Sequence, residues 1–361
     1  MNSLQIIREY SQYQHHRTGS HADRSVCSWL SGVLKDQGLE VVEIAYEFPR
    51  YQATWLVECE QGPVAAIPLF YSSSADLDFT DVPIEPITLD DWREFAALEQ
   101  IQQHVLVSEK ADASIAIFAT QSANQALYAL NVGVDFQCPL PVLLVGADSA
   151  NTASHLSGSL QAKITQGQSS NLVAYSASKN LPPELIITTP ISGWFQCAAE
   201  RGAGIAVVLE LISRLKDKYR LQIVMTTGHE LHHLGTDAVQ DQLAISAHVP
   251  VLHIGSCVGV ANAYMVLSSN QNDQAIGQLS RIFTHDYACV VQRDAKQPVQ
   301  EWPGESRNWV NGERRVLSLA GTDQHFHTPL DTYSRINMQP WVQIVENLEQ
   351  GVAVLLETKS S

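Results

Sequence analysis

The sequence predicts an α/β fold with a mostly parallel central sheet and helices on both faces. After residue 170, short apolar runs of β-prone residues alternate with segments whose apolar residues recur at helical spacing. The chain has 361 residues, of which 45% are apolar and 17% are charged. This is long and apolar enough for one large α/β domain and a smaller second domain.

The predicted elements follow this alternation in chain order. The first long helix follows Asp23, which we expect to cap it, and ends at Gly38. The last helix begins at Pro340, because proline suits the first turn of a helix. We expect strands at 42–48, 172–176, 185–189, 221–225, 249–256 and 316–319, and helices at 26–34, 205–215, 275–282 and 340–355.

A different pattern occupies residues 51–168. Short β-like runs are separated there by polar or turn-rich stretches, and helical periodicity is scarce apart from a helix expected around 123–131. We therefore predict an inserted, β-rich domain at 51–168, while residues 1–50 and 169–361 form the α/β domain. The insert is expected to be structural or lid-like, since it contains no catalytic group of residues.

Composition limits the partners and the location. The chain has 22 Lys+Arg against 38 Asp+Glu, a formal net charge of -16, which argues against nucleic acid or an anionic membrane as a partner. No segment is apolar enough for a signal peptide or a membrane span. Six widely spaced cysteines without a C-x-x-C pair predict free thiols in a reducing compartment, the cytoplasm. Nothing in the sequence indicates an oligomeric state.

The stretch 221–237 carries more potential chemistry than any other. An apolar, β-prone run breaks at Gly228 and is followed by His229, Glu230, His232 and His233. An H-E-x-x-H pattern on a helix would bind zinc through two imidazoles. The flanking glycines favour a strand followed by a loop instead, with Glu230 as a ligand at the carboxyl edge of the sheet. A solvated, histidine-rich loop without metal is the third interpretation.

Several motifs resemble those of the bimetallic zinc aminopeptidases, peptidase family M-twenty-eight, whose relatives include the glutaminyl cyclases. The most specific are a Gly-x-Glu pattern after a strand and a terminal His-Thr-Pro-Leu-Asp-Thr at 327–332. The Arg-Thr-Gly-Ser run at 17–20, the strand at 170–174 and the loop at 304–309 are similar to further family segments. The resemblance implies a zinc-exopeptidase-like fold, and it likens the insert to a protease-associated lid domain.

The resemblance also implies which metal ligands are lost. The first metal of the family uses the His of a His-x-Asp-Ser motif, where this chain has Thr189 and, in the Asp place, Ile191. The same metal uses an Asp where this chain has Ser256. Both ligands that bind only this first metal are therefore missing together, and the resemblance favours one zinc rather than two.

The ligands of the second metal have counterparts in this chain, namely Glu200, Glu230 and His327. Two carboxylates, one imidazole and an open position are typical of a catalytic zinc site. His229 stands where the family has its general base, so it is the predicted catalytic residue. Thr189, Ser256 and Asp331 are expected to contact substrate. His325 is an alternate ligand, His232 or Asp331 is expected to orient neighbouring groups, and Cys257 is either a nucleophile or a packing residue.

The sequence, with the resemblance, favours the first of three functions and leaves the other two as alternatives. The first is a zinc-dependent, aminopeptidase-like hydrolase that acts on amide bonds of small peptides or aminoacyl compounds. The second is a catalytically inactive relative that binds such a ligand in the same cleft. The third is a single-zinc cyclase or acyl transferase, which would release ammonia or water from an N-terminal Gln or Glu without cutting the chain.

Overall fold

The computed structural model describes residues 2–89, 94–109, 113–122, 124–243, 245–283, 287–294, 296 and 301–357. Thirteen strands of this described chain form one mixed sheet. The strands are β1 (Glu40–Cys59), β2 (Gly62–Pro63), β3 (Ala66–Pro68), β4 (Ala75–Ile87), β5 (Ala116–Thr120), β6 (Val142–Gly146), β7 (His155–Tyr175), β8 (Leu185–Pro190), β9 (Leu221–Thr226), β10 (Val251–Ile254), β11 (Tyr264–Ser269), β12 (Cys289–Gln292) and β13 (Val316–Thr322).

The sheet runs in the order β12-β11-β13-β10-β8-β9-β7-β4-β5-β6-β3, while β1 pairs with β7 and with β2. Its centre, β9-β8-β10-β13, is parallel. On either side of this centre, β7 and β11 are antiparallel to their neighbours. The sheet is therefore mixed, with a parallel centre of the kind the strand-helix alternation predicted.

Helices cover both faces of the parallel centre, because its strands bury side chains on both sides. The helices are α1 (Ser3–Tyr10), α2 (His21–Asp36), α3 (Glu94–Glu109), α4 (Ala147–Ala150), α5 (Ala203–Leu215), α6 (Leu234–Gln242), α7 (Asp273–Ile282), α8 (Ser306–Trp309) and α9 (Trp341–Glu357). Ile187 of β8 packs into the cluster formed with α1, α2, α5, α7 and α9, whereas its neighbour Ile186 packs into the opposite cluster with α6 and α8. Of the helices described, none has the length and hydropathy to cross a membrane.

The cap of α2 differs from the prediction. Ser20, not Asp23, occupies the N-cap, and its Oγ accepts a hydrogen bond from Asp23 N at 3.1 Å. The Asp23 carboxylate instead accepts from Gly19 N and from Ser169 Oγ. Asp23 therefore ties the loop before α2 to β7.

The predicted boundaries at 51 and 168 lie inside β1 and β7, two long paired strands that continue from the α/β part into the 51–168 segment. This segment has its own hydrophobic cluster, built on β4, β5, β6 and α3. The position of α3 was not predicted from the sequence, although its buried residues Ala97, Leu98, Ile101 and Val105 recur at helical spacing. The identity of the segment as a protease-associated domain stays a prediction.

The helix expected around 123–131 is wrong for the residues described, 124–131, which form turns and irregular chain. Their backbone groups bond to other segments instead of along a helix. Ala129 N donates to His327 O at 2.9 Å, and Val132 N, directly after the segment, donates to Glu230 O at 2.9 Å. The segment is thus held against two residues of the predicted site.

Candidate functional site

The histidine-rich stretch forms a short turn and loop directly after strand β9. The interpretation of this stretch as a strand followed by a loop is therefore confirmed, and the helical interpretation is wrong. Gly228 takes a φ of +76°, a conformation that glycine adopts easily. A single 3-10 turn covers His229–Leu231, and His232 and His233 then adopt φ values of +54° and +69°. The residues of the H-E-x-x-H pattern, 229–233, therefore do not lie along one α-helix.

Glu230 is buried and both of its carboxylate oxygens are engaged by the protein. Oε1 accepts from Thr18 N at 2.6 Å, and Oε2 accepts from Ser192 Oγ at 2.7 Å. Thr18 also binds the loop from the other side, since its Oγ1 accepts from Gly228 N at 2.8 Å. Glu230 therefore joins the Arg-Thr-Gly-Ser loop to the end of β8.

Glu200 lies in a π-helical turn, Ala198–Gly202, at the start of α5. Its Oε1 is 2.7 Å from an Nη of Arg201 and 3.2 Å from Nε2 of His327. All three side chains are almost completely buried. The Arg201 guanidinium also donates to the carbonyl oxygens of Ser192 and Glu200. The structure thus brings Glu200 and His327 together, with a second cation beside them.

This ion pair decides the charge state of Glu200. Burial alone would raise the pKa of the carboxyl, but the charges of Arg201 and His327 outweigh it and hold the pKa of Glu200 far below its ordinary value. Arg201 is the nearest cation, and its own pKa is raised by Glu200 despite burial. A guanidinium remains charged at all physiological pH values, so the carboxylate remains ionised.

Contacts at both ring nitrogens orient His327. Its Nδ1 lies 3.1 Å from Ala129 O, and because a carbonyl can only accept, Nδ1 carries a hydrogen. Nε2 is therefore the nitrogen that faces Oε1 of Glu200, at 3.2 Å.

His229 is oriented by a residue that the sequence did not single out. Its Nδ1 lies 3.0 Å from Oε1 of Glu305, whose other oxygen accepts from Thr236 Oγ1 at 2.8 Å. Burial, followed by the charge of Arg201, lowers the pKa of His229 well below its ordinary value. A neutral imidazole that donates from Nδ1 leaves Nε2 as an acceptor, which is the arrangement of a general base.

Asp331 holds the turn that carries Glu200. Its two carboxylate oxygens accept from Ala199 N at 2.7 Å and from Glu200 N at 2.9 Å. This position matches the orienting role predicted for Asp331, and both of its oxygens are occupied by the protein. Burial raises the pKa of Asp331 to about 7.

Four further predicted residues are buried or bonded to other parts of the protein, namely Thr189, Ser256, Cys257 and His325. Thr189 is buried at the end of β8, and Ser256 donates from Oγ to Gly321 O at 2.6 Å. Cys257 is buried among apolar neighbours, and burial raises the pKa of its thiol well above the ordinary value, so packing is favoured over nucleophilic chemistry. His325 contacts Asn124 at 3.0 Å.

The three predicted ligands, Glu200, Glu230 and His327, do not come together as one three-ligand zinc site in the described chain. Within the described chain, the group of potential ligand atoms that lie within 4.8 Å of one another consists of Cys197, Glu200 and Asp331, without Glu230 or His327. Asp331 in that group is already occupied as a helix cap, and Glu200 contacts the Arg201 guanidinium. A divalent cation at Glu200 would lie beside a fixed positive charge in a buried environment, which is electrostatically unfavourable.

Left-handed backbone conformations are frequent in the loops that carry the predicted site residues. Five non-glycine residues of the site loops adopt φ values between +49° and +69°, and they are Cys197, His232, His233, Cys257 and His327. Such conformations cost free energy and persist where the surrounding contacts impose them. The loops are therefore held in place by tertiary contacts rather than by local preference.

A cleft of about 1250 Å³ lies between the Arg-Thr-Gly-Ser loop, β1, β7 and the 51–168 segment. Of the residues predicted for the site, Glu230 lines it. Aromatic side chains, among them Phe70 and Trp194, form part of its wall, together with Arg17 and Arg50. The cleft thus has both the size and the mixed lining of a small-molecule binding site.

Sequence reasoning missed Arg201 and Glu305 as members of the site. Arg201 directly follows a predicted ligand, and a basic residue beside a metal ligand is a signal that could have been used. Glu305 lies in the loop matched to the family, but its contact with His229 joins positions far apart in the chain and has no local signal.

No protein-family model matches the sequence, and no curated protein matches it. Solved structures do match. The zinc aminopeptidase BSAP from Bacillus subtilis aligns with a TM-score of 0.74 at 14% identity, covering 100% of this chain and 96% of its own. A Peptidase M28 precursor from Shewanella amazonensis gives 0.75 at 15% identity, with 99% and 94% covered.

A glutaminyl cyclase from Porphyromonas gingivalis aligns with a TM-score of 0.54 at 10% identity, covering 99% of this chain and 96% of its own. At such low identities, these similarities are evidence of shared architecture, and the alignments extend over almost the whole chain. The protein therefore has the α/β fold of the zinc aminopeptidases and glutaminyl cyclases.

Proposed function

We propose that this protein is a catalytically inactive, aminopeptidase-like binding protein that holds a small peptide or aminoacyl compound in its cleft. The observation that carries the proposal is the buried contact between Arg201 and Glu200 at 2.7 Å. In this proposal, the guanidinium supplies the positive charge that zinc supplies in the enzymes of this fold. It stabilises the carboxylate but cannot provide an open coordination position for water.

The remaining predicted chemistry is consistent with this proposal. The predicted ligand Glu230 has both oxygens engaged by Thr18 and Ser192. His229 remains oriented as a base by Glu305, and in this proposal Arg201 at Glu200 takes the place of the ion with which such a base would act. The cleft, by contrast, retains the dimensions of a ligand site. Six free cysteines agree with the predicted cytoplasmic location, which remains part of the proposal.

A single-zinc hydrolase or cyclase is the second candidate. It is favoured by the 3.2 Å separation of Glu200 Oε1 and His327 Nε2, which suits two ligands of one ion, and by the His229–Glu305 pair. We prefer the binding function because the same Glu200 oxygen already contacts Arg201.

A turnover assay separates the two candidates. Wild-type protein supplied with zinc would be incubated with aminoacyl amides and with a peptide that has an N-terminal Gln, and release of amine or ammonia would be measured. We expect no release above that of the His229→Ala variant, because no water-activating centre is available. Release by the wild type that is lost in His229→Ala would contradict the binding function and support the enzyme.

A further inference from the structure

We infer that the cleft binds a ligand carrying a carboxylate next to an aromatic or apolar body, and that Arg17 recognises the carboxylate. This inference rests on the proposed binding function and specifies the ligand class. It starts from the position of Arg17, which lines the cleft beside Thr18 and Glu230.

Aromatic rings hold the Arg17 guanidinium in place. Its central carbon lies 5.0 Å from the centre of the Phe70 ring and 5.9 Å from that of Trp55. Phe70 is in turn fixed by Trp194 and Tyr51, whose ring centres lie 4.9 and 5.1 Å away. A guanidinium stacked on rings keeps its edge N–H groups available for a planar, bidentate acceptor such as a carboxylate.

Arg17 takes part in none of the ion pairs found in the described residues. Burial lowers the pKa of Arg17 to about 10, and Glu230 opposes that effect, so the side chain remains cationic at neutral pH. Arg17 is thus a partly buried cation that Glu230 stabilises from nearby without a direct ion pair, so its guanidinium can still bind an anion.

The charge of the cleft contrasts with that of the chain. The whole protein has a formal net charge of -16, yet the cleft is lined by three Lys/Arg residues, Arg17, Arg50 and Lys163, and by two acidic ones, Asp76 and Glu230. Two imidazoles, His15 and His21, also line it. A monoanion would neutralise this excess of one positive charge, whereas a phosphate dianion would leave a net negative charge in the cleft.

The aromatic wall defines the other part of the ligand. Tyr51, Phe70, Tyr71 and Trp194 are buried and line the cleft near Arg17. Only 2–7% of each residue is exposed, so the wall offers small apolar areas, which favour an apolar or aromatic group over a polar one. A carboxylate attached to a group of this kind therefore matches both halves of the cleft.

Calorimetric titration with N-acetyl-L-phenylalanine and with its neutral amide tests the inference. We expect the carboxylate to bind at least about tenfold more tightly than the amide. Phenyl phosphate is expected to bind more weakly than the carboxylate. Equal affinity for carboxylate and amide, tighter binding of phenyl phosphate, or no binding of the carboxylate would overturn the inference. Binding of the neutral amide alone would leave the proposed binding function standing.

Variants assign the effect to Arg17. Arg17→Gln is expected to weaken carboxylate binding by about tenfold to a hundredfold and to leave amide binding nearly unchanged. Arg17→Lys keeps the charge and is expected to retain more affinity than Arg17→Gln. Arg335→Gln removes an exposed arginine outside the cleft and serves as the matched control. Equal affinities of Arg17→Gln and Arg335→Gln for the carboxylate would contradict the assignment, and thermal melts of all variants verify that they fold.

Discussion

Replacement of Arg201 with methionine is expected to lower the free energy of unfolding by about 3–5 kcal/mol, because it leaves the Glu200 carboxylate buried without its nearest cation. The pair is almost completely shielded from water, with both side chains 1% exposed. Methionine keeps much of the side-chain volume, so the loss reports mainly on the charge and its hydrogen bonds. Urea denaturation of wild type and variant measures the difference.

Two controls distinguish the buried charge from a general effect of substitution. The Glu200→Gln/Arg201→Met double variant removes both charges and is expected to be more stable than Arg201→Met alone. Arg220→Met breaks an exposed pair with Glu184, in which the side chains are 44% and 42% exposed, and is expected to cost about 0–1 kcal/mol. A double variant as unstable as Arg201→Met, or a cost for Arg201→Met equal to that for Arg220→Met, would contradict the role given to Arg201.

The second large effect concerns acid stability and His253. This side chain is fully buried on β10, and neither ring nitrogen has a hydrogen-bond partner among the described residues. Burial lowers the pKa of His253 from 6.5 to about 4. Below pH 6.5, the unfolded chain therefore binds a proton that the folded chain does not, and the contribution of His253 to stability is lost as the pH falls towards 4.

The His253→Leu variant is expected to lose less stability than the wild type between pH 7 and pH 4. A difference of about 2.5 between the two pKa values corresponds to about 3 kcal/mol as an upper estimate. Denaturation at a series of pH values measures this difference. His248→Leu, which removes an exposed imidazole, should leave the pH dependence of the wild type unchanged. Parallel pH profiles for His253→Leu and wild type would rule out a neutral, buried His253 as a source of acid sensitivity.

The sequence was sufficient to predict the strand and loop that carry the histidine-rich stretch, because their signals are local. The apolar run before Gly228 predicted β9, and the polar residues after it had to lie at the carboxyl edge of a parallel sheet. The order of motifs likewise predicted the α/β fold. These features depend on strand periodicity and on the position of glycine, both of which can be read from neighbouring residues.

What the sequence could not supply are the long-range contacts that decide the chemistry. Whether Glu230 faces a metal or is held by Thr18 and Ser192 depends on how three separate loops meet. The effect of Arg201 depends in the same way on the burial of Glu200 and on the position of His327. The irregular chain at 124–131 illustrates the same point, since its hydrogen bonds to the site replaced those of a helix.

Metal analysis of protein purified without chelator tests most directly whether Arg201 stands in place of zinc. Wild type, Glu230→Ala and Arg201→Met would be measured after incubation with zinc and removal of the excess. We predict that wild type retains no more zinc than Glu230→Ala does. One equivalent of zinc per wild-type chain that is lost in Glu230→Ala would contradict this account and establish a metal site at the edge of the sheet.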